Sequence, residues 1–320
     1  VMQQAVEKID RVRLKAGETL CRLVHSEEEI LTNAIPCLER LREVLPPDQS
    51  VHWGVPAESA PLLAPLVSLA PYTLPLIQGL VISIGGIDNT LSRVTSTPLI
   101  AHLSKHGSAL QSVDAAQPQP QMSVVQAVGA ALVETGLQST KNDRVIIPLL
   151  RSLDIFISSG CLNALKLPQE ESGFYPKILE IVKTEAKGSK DIPKLLAAIG
   201  VLCHFIPHPD VKTGALASLL GLLINRYPKV RKQAAEQLYV QLLDYEDEPG
   251  MEDVLEVLCE TKWDGTSLED IKAARSKLYG PLNVPLPVVK KTSGTRPVKE
   301  VKEVKDENAS YASLVDFAGY

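Results

Sequence analysis

The chain has 320 residues, 45% of them hydrophobic, which is enough apolar material for one long domain or two ordinary ones. Aromatic residues make up only 4%, so the core must come from Leu, Ile, Val and Ala, a composition that suits close-packed helices. A net charge of −5 supplies no global field for nucleic acid or an anionic membrane. The five cysteines, Cys21, Cys37, Cys161, Cys203 and Cys259, are scattered and never spaced C-x-x-C, which argues against a disulfide framework or a zinc site and for a reducing compartment.

Val1, Ala5, Ile9, Val12, Ala16, Leu20 and Leu23 recur at three- and four-residue steps, predicting one helix already in phase at Val1. The chain therefore reads as a piece of a longer one. Ser26 with Glu29 has capping-box spacing and opens a second segment ending before Pro46. Two apolar segments, 61–70 and 72–83, lead to Gly85-Gly86, a helix stop. The apolar run 74–87 is too short and too interrupted to span a bilayer. A helix follows over 88–106, with Ser96 as a new cap before Pro98, and then a polar loop over 108–121. Helices are expected over 123–135, 143–159, 175–187, 191–205, 211–225, 229–243, 251–262 and 267–279. No stretch alternates with a period of two. So many helices of similar length with short connections indicate an all-α fold, an α-solenoid of HEAT-like or armadillo-like helical pairs over residues 1–284, with a possible subdivision near 108–121. From residue 285 the composition turns to Lys, Glu, Val, Thr and Ser, the mark of a disordered charged tail over 285–320.

One pattern occurs twice. DRVRLKAGETL (10–20) and PKVRKQAAEQL (228–238) both read V-R-x-x-A-x-x-x-L, and Val211 opens an echo with Lys for Arg. Val12, Ala16 and Leu20, like Val230, Ala234 and Leu238, form one stripe, and the small Ala admits a neighbouring helix. The arginine beside each valine sits at the stripe's edge, where its stem covers apolar surface and its head can bond an adjoining repeat. The signature resembles the second helix of HEAT repeats, although Val211 and Val230 are one helix apart and cannot both hold that place in successive pairs.

No phosphate loop, dinucleotide fingerprint, nucleophile elbow or H-E-x-x-H occurs, and no cofactor is expected. Gly85-Gly86 lacks the Lys and Ser/Thr of a phosphate cradle. Cys203 adjoins His204, but neighbouring helix residues face different ways; Cys203 or Cys161 as the nucleophile of a thiol hydrolase is the remote alternative. His102 and His106, at i and i+4, make either two-thirds of a metal site or a solvated helix face. Trp263 either closes the seam between helix pairs or stands out as a partner anchor. Lys229, Arg231 and Lys232 crowd a helix N-terminus, where the dipole disfavours cations, so they either bond within the stack or meet an acidic partner.

AVEKIDRVR (5–13), HWGVP (52–56), GLVISIGGI (79–87), RVIIPLLRSLD (144–154), KGSKDIPKLL (187–196), RYPKVRKQAAEQLYVQLL (226–243) and TKWD (261–264) together resemble the C-terminal region of the tubulin-folding cofactor D family. The resemblance covers residues 1–285. It implies a non-catalytic HEAT-repeat scaffold, cytoplasmic and associated with the microtubule cytoskeleton. The implied partners are β-tubulin, cofactors C and E and an ADP-ribosylation-factor-like small GTPase, during assembly and disassembly of the αβ-tubulin dimer. A HEAT scaffold from transport or trafficking is the other reading of the same helical pattern.

Overall fold

The structure, a computed structural model, describes residues 1–47, 50–111, 122–166 and 173–286. Among the described residues there are fourteen α-helices and no β-strand; one isolated antiparallel bridge joins Leu110 to Ser123. None of these helices is long and apolar enough to cross a membrane. Residues Val1–Pro285 form one compact unit. The expected tail falls, from residue 287 on, outside the described residues, as do 112–121 of the expected loop.

The N-terminal part contains α1 (Asp10–Val24), α2 (Glu29–Ala34), α3 (Leu38–Val44), α4 (Pro56–Leu63), α5 (Ala70–Ile84) and α6 (Asn89–His106). The helix expected from Val1 is interrupted: a short 3-10 turn, Gln4–Val6, is followed by extended backbone at Glu7 and Ile9. Val1 and Ile9 are exposed, while Arg13, Gly17 and Cys21 join Ala16 and Leu20 on the buried face. Ala5 and Val6 are held inward by the Ser83 hydroxyl, which donates to the Val6 carbonyl at 2.6 Å. The second segment is two helices, because the chain turns at Pro36 and Cys37 takes a left-handed conformation (φ 53°). Ser26 caps neither; its hydroxyl accepts from the Glu28 amide.

Ser96 starts no new helix. Helix α6 begins at the Asp88 cap, whose carboxylate accepts from the Thr90 and Leu91 amides, and continues through Pro98. The buried stripe of Ser92, Leu99 and Leu103 outweighs the hydrogen bond that Pro98 cannot donate.

Eight helices follow: α7 (Val124–Gln138), α8 (Asp143–Ser158), α9 (Phe174–Ala186), α10 (Ile192–His204), α11 (Pro209–Leu222), α12 (Pro228–Leu242), α13 (Met251–Glu260) and α14 (Leu268–Leu278). Ser123 and Gln126 form a full capping box on α7, and Asp191 and Ser267 cap α10 and α14. The helices stack in two layers. In one, α5 packs on α8, α8 on α10 and α10 on α12; in the other, α7 packs on α9 and α9 on α11. This is an α-solenoid of helical pairs, each burying its apolar stripe against the next.

Candidate partner-binding surface

Of the residues expected to meet a partner, Lys229, Arg231 and Lys232 lie where α12 begins and Trp263 lies just after α13. Tyr227 turns the chain, and Pro228 stands in the first turn, its fixed φ suited to a helix start. Val230, Ala234, Leu238 and Leu242 then bury completely and anchor α12 in the stack. Arg231 follows them inward and is only 3% exposed. Its Nε donates to the Trp263 carbonyl at 2.7 Å, Nη2 to the Gly265 carbonyl at 2.7 Å and Nη1 to the Asn225 carbonyl at 2.9 Å. All of these acceptors are backbone oxygens of loops flanking α12 and α13, so the guanidinium binds the two turns together.

Trp263 is 4% exposed, and its Nε1 donates to the Leu258 carbonyl at the end of α13. It therefore closes the α12–α13 seam, the first of its two readings. Arg231 and Trp263 form one internal clamp, and both are almost wholly buried. Lys229 and Lys232 remain exposed. Lys232 Nζ lies 3.9 Å from Glu236 Oε1, a loose pair on the helix surface, and lines a groove of about 370 Å³ with Ala235, Tyr239, Leu258 and Trp263.

The same device stands at the other end of the chain. Arg13 is 3% exposed and donates through Nη1 to the Glu7 carbonyl and through Nη2 to the Gly54 carbonyl, both at 2.7 Å. Each arginine thus reaches back six residues and forward to a glycine just after a buried tryptophan, Trp53 or Trp263. Gly17 on α1 is needed because Trp53 packs where its side chain would stand.

The remaining chemical candidates are accounted for by packing. Burial pushes the Cys203 thiol up to about 12, and the nearby Asp154 charge adds to the effect. His204 gives Cys203 no base, since its Nε2 is 2.8 Å from Asp154 Oδ1. Burial also raises Cys161, opposed by a hydrogen bond from Ser159. Neither thiol has the thiolate character a nucleophile needs. His102 Nε2 and Ser68 Oγ lie 2.8 Å apart; burial, then the charge of His106, lowers the His102 pKa. Among the described residues no group of three or more His, Cys, Asp and Glu is placed to hold a metal. Gly85 ends α5 where a β-carbon would collide with the Pro148 carbonyl of α8, so Gly85-Gly86 is a helix end and a close helix contact.

One cluster has no counterpart in the sequence reading. Lys194 Nζ of α10 lies 2.5 Å from Asp143 Oδ1 and 3.1 Å from Glu185 Oε2, while Glu185 Oε1 accepts from the Lys141 amide at 2.7 Å. Glu185 is 2% exposed at its side chain, so this is a buried ionic joint between α8, α9 and α10.

The fold and this surface define an α-helical solenoid whose distinctive polar groups serve the stack itself. The sequence profile of the family described as "Tubulin folding cofactor D C terminal" matches residues 1–194, and the chain belongs to that family. The Tubulin-specific chaperone D of Dictyostelium discoideum is 25% identical over 339 residues, an alignment covering 96% of this chain. The chain spans 22% of that relative's length. No solved structure matches.

Proposed function

We propose that the chain is a non-catalytic scaffold of the tubulin-folding pathway, contributing a surface on which a tubulin-specific chaperone holds β-tubulin. The observation that carries this reading is the family match over residues 1–194. The buried, pKa-raised thiols support a binding role over a chemical one. A stack of helical pairs binds by extended area and charge complementarity, with no need of a deep pocket. Cofactors C and E and an ADP-ribosylation-factor-like small GTPase are the further partners in assembling and taking apart the αβ dimer, in the cytoplasm and at the microtubule cytoskeleton. Lys229 and Lys232, exposed at the start of α12, are the cations offered to an acidic partner surface.

The test is retention of purified αβ-tubulin, cofactors C and E and the GTPase on the immobilised chain. Saturable retention of tubulin or of a cofactor is expected. Retention of none of them overturns the reading.

A further inference from the structure

Beside Trp263 the α12–α13 groove opens into a second depression, and the two share Tyr239 and Cys259. The apolar lining of the combined surface is Ala235, Tyr239, Val240, Leu255 and Leu258. Val240 is 65% exposed although α12 is otherwise deeply packed, so an aliphatic side chain stands in water at the groove's edge. The second depression is rimmed by Glu246, Asp247, Glu252 and Glu256, with no cation among its lining residues. None of these four carboxylates has an ion-pair partner among the described residues. The asymmetry is built into the sequence: residues 244–260 carry eight Asp and Glu and no Lys or Arg. At the Trp263 end the charges are mixed, Lys232 and Lys262 against Glu236 and Asp264.

We propose that this groove is a docking site for a basic amphipathic helix of a partner protein. Its apolar residues would lie on Tyr239, Val240 and Leu255, and its Lys or Arg residues would face Glu246, Asp247, Glu252 and Glu256. The apolar strip lies between two helices, the geometry that accepts a third helix as a ridge. Four unpaired carboxylates at one end fix its charge and its direction. Of the lysines offered to an acidic partner, Lys229 lies outside this groove and Lys232 lines its Trp263 end but not the carboxylate-rimmed depression; the proposal does not depend on the tubulin reading.

The probe is a fluorescent helical peptide of about fifteen residues with Leu at i, i+4, i+7 and i+11 and Lys elsewhere, read by anisotropy against the full chain. A second peptide carries Glu in place of Lys. The Lys peptide is expected to bind and the Glu peptide not. Val240→Asp and the pair Glu252→Lys with Glu256→Lys should each weaken binding about tenfold. The pair Glu28→Lys with Glu29→Lys makes the same change of net charge on exposed residues elsewhere and should leave binding unchanged. All these side chains are exposed, so circular dichroism and the melting temperature serve as folding controls. Equal binding of both peptides, equal loss with the Glu28/Glu29 pair, or unchanged binding by the groove variants overturns the proposal. So does a concentration-dependent dimer that the Lys peptide fails to dissociate, since the groove's occupant would then be a second copy of the chain.

Discussion

The guanidinium of Arg231 donates through Nε to the carbonyl of Trp263 at 2.7 Å, joining the first turn of α12 to the loop that leaves α13. Donation from this arginine to loop carbonyls is common to both copies of V-R-x-x-A-x-x-x-L. The valine, alanine and leucine seat a helix in the stack, and the arginine ties it to a tryptophan loop 32 residues further on, or, from Arg13, to Gly54, 41 residues on. The buried loop carbonyls need donors, and a planar guanidinium supplies several in fixed directions.

The two clamps differ at Nε and in one ion pair, Arg13 Nη2 to Asp10 Oδ1 at 2.6 Å, whose carboxylate is 78% exposed and adds little, so their stability contributions should differ. Arg13 Nε is buried with no hydrogen-bond partner among the described residues, whereas Arg231 Nε bonds Trp263. Arg231→Met should cost about 3–5 kcal/mol and Arg13→Met about 2–3 kcal/mol in urea unfolding. Lysine should rescue neither well, since one ammonium cannot replace a fork that reaches several acceptors in fixed directions. Full rescue by Arg231→Lys would show that charge alone matters there.

Gly85 and Gly86 are adjacent in sequence but meet different surroundings. A β-carbon at Gly85 would run into the Pro148 backbone, whereas one at Gly86 meets its nearest atoms, the Ile82 and Ser83 carbonyls, at 3.3 Å. Gly85→Ala should therefore force α5 from α8 and cost about 2–3 kcal/mol, with Gly86→Ala within about 1 kcal/mol of wild type. Thermal melts of the two variants check this. Equal tolerance would mean the two helices are not in contact at that point.

The helices were legible in the sequence because each carries its own evidence: a 3.6-residue apolar stripe and, at Ser123, Asp191 and Ser267, a capping side chain. Ser96 and Ser26 misled because a cap-like residue next to Pro98 or Glu29 says nothing of the tertiary stripe that carries α6 through its proline. The candidate surface was harder to read. The stripe-edge position of Arg231 gives its bonding within the stack as one of two readings, but its acceptors are backbone carbonyls, which leave no mark in the side-chain sequence. The Lys194–Glu185–Asp143 joint was missed for the same reason, since its members come from three helices and no local spacing relates them.

The thiols should differ widely in reactivity. Cys259 is exposed on α13, whereas Cys203 and Cys161 are buried with raised pKa values, Cys203 to about 12. In a native time course at about pH 8 with iodoacetamide and peptide mapping, Cys259 should be modified first, and Cys203 only after unfolding. Native modification of Cys203 as fast as Cys259 would restore the thiol-hydrolase alternative to consideration.

The buried joint on α10 gives a pH dependence with a definite sign. Burial alone would lower the Lys194 pKa, but its hydrogen bonds and charge attraction to Asp143 and Glu185 outweigh burial and raise it. A lysine whose folded pKa is raised stabilises the fold fully below its ordinary value of 10.5, and that contribution is lost as pH rises through the raised value. Lys194→Met leaves Glu185 buried without its cation and should cost about 3 kcal/mol at neutral pH. Adding Glu185→Gln, which keeps an acceptor for the Lys141 amide, should recover more than half of that loss. Measured by urea unfolding, the gap between wild type and Lys194→Met should hold steady from about pH 7 to 9 and shrink at higher pH. A gap that stays constant through the alkaline range would mean that the ammonium charge contributes nothing to the joint and that only the packing of the lysine stem does.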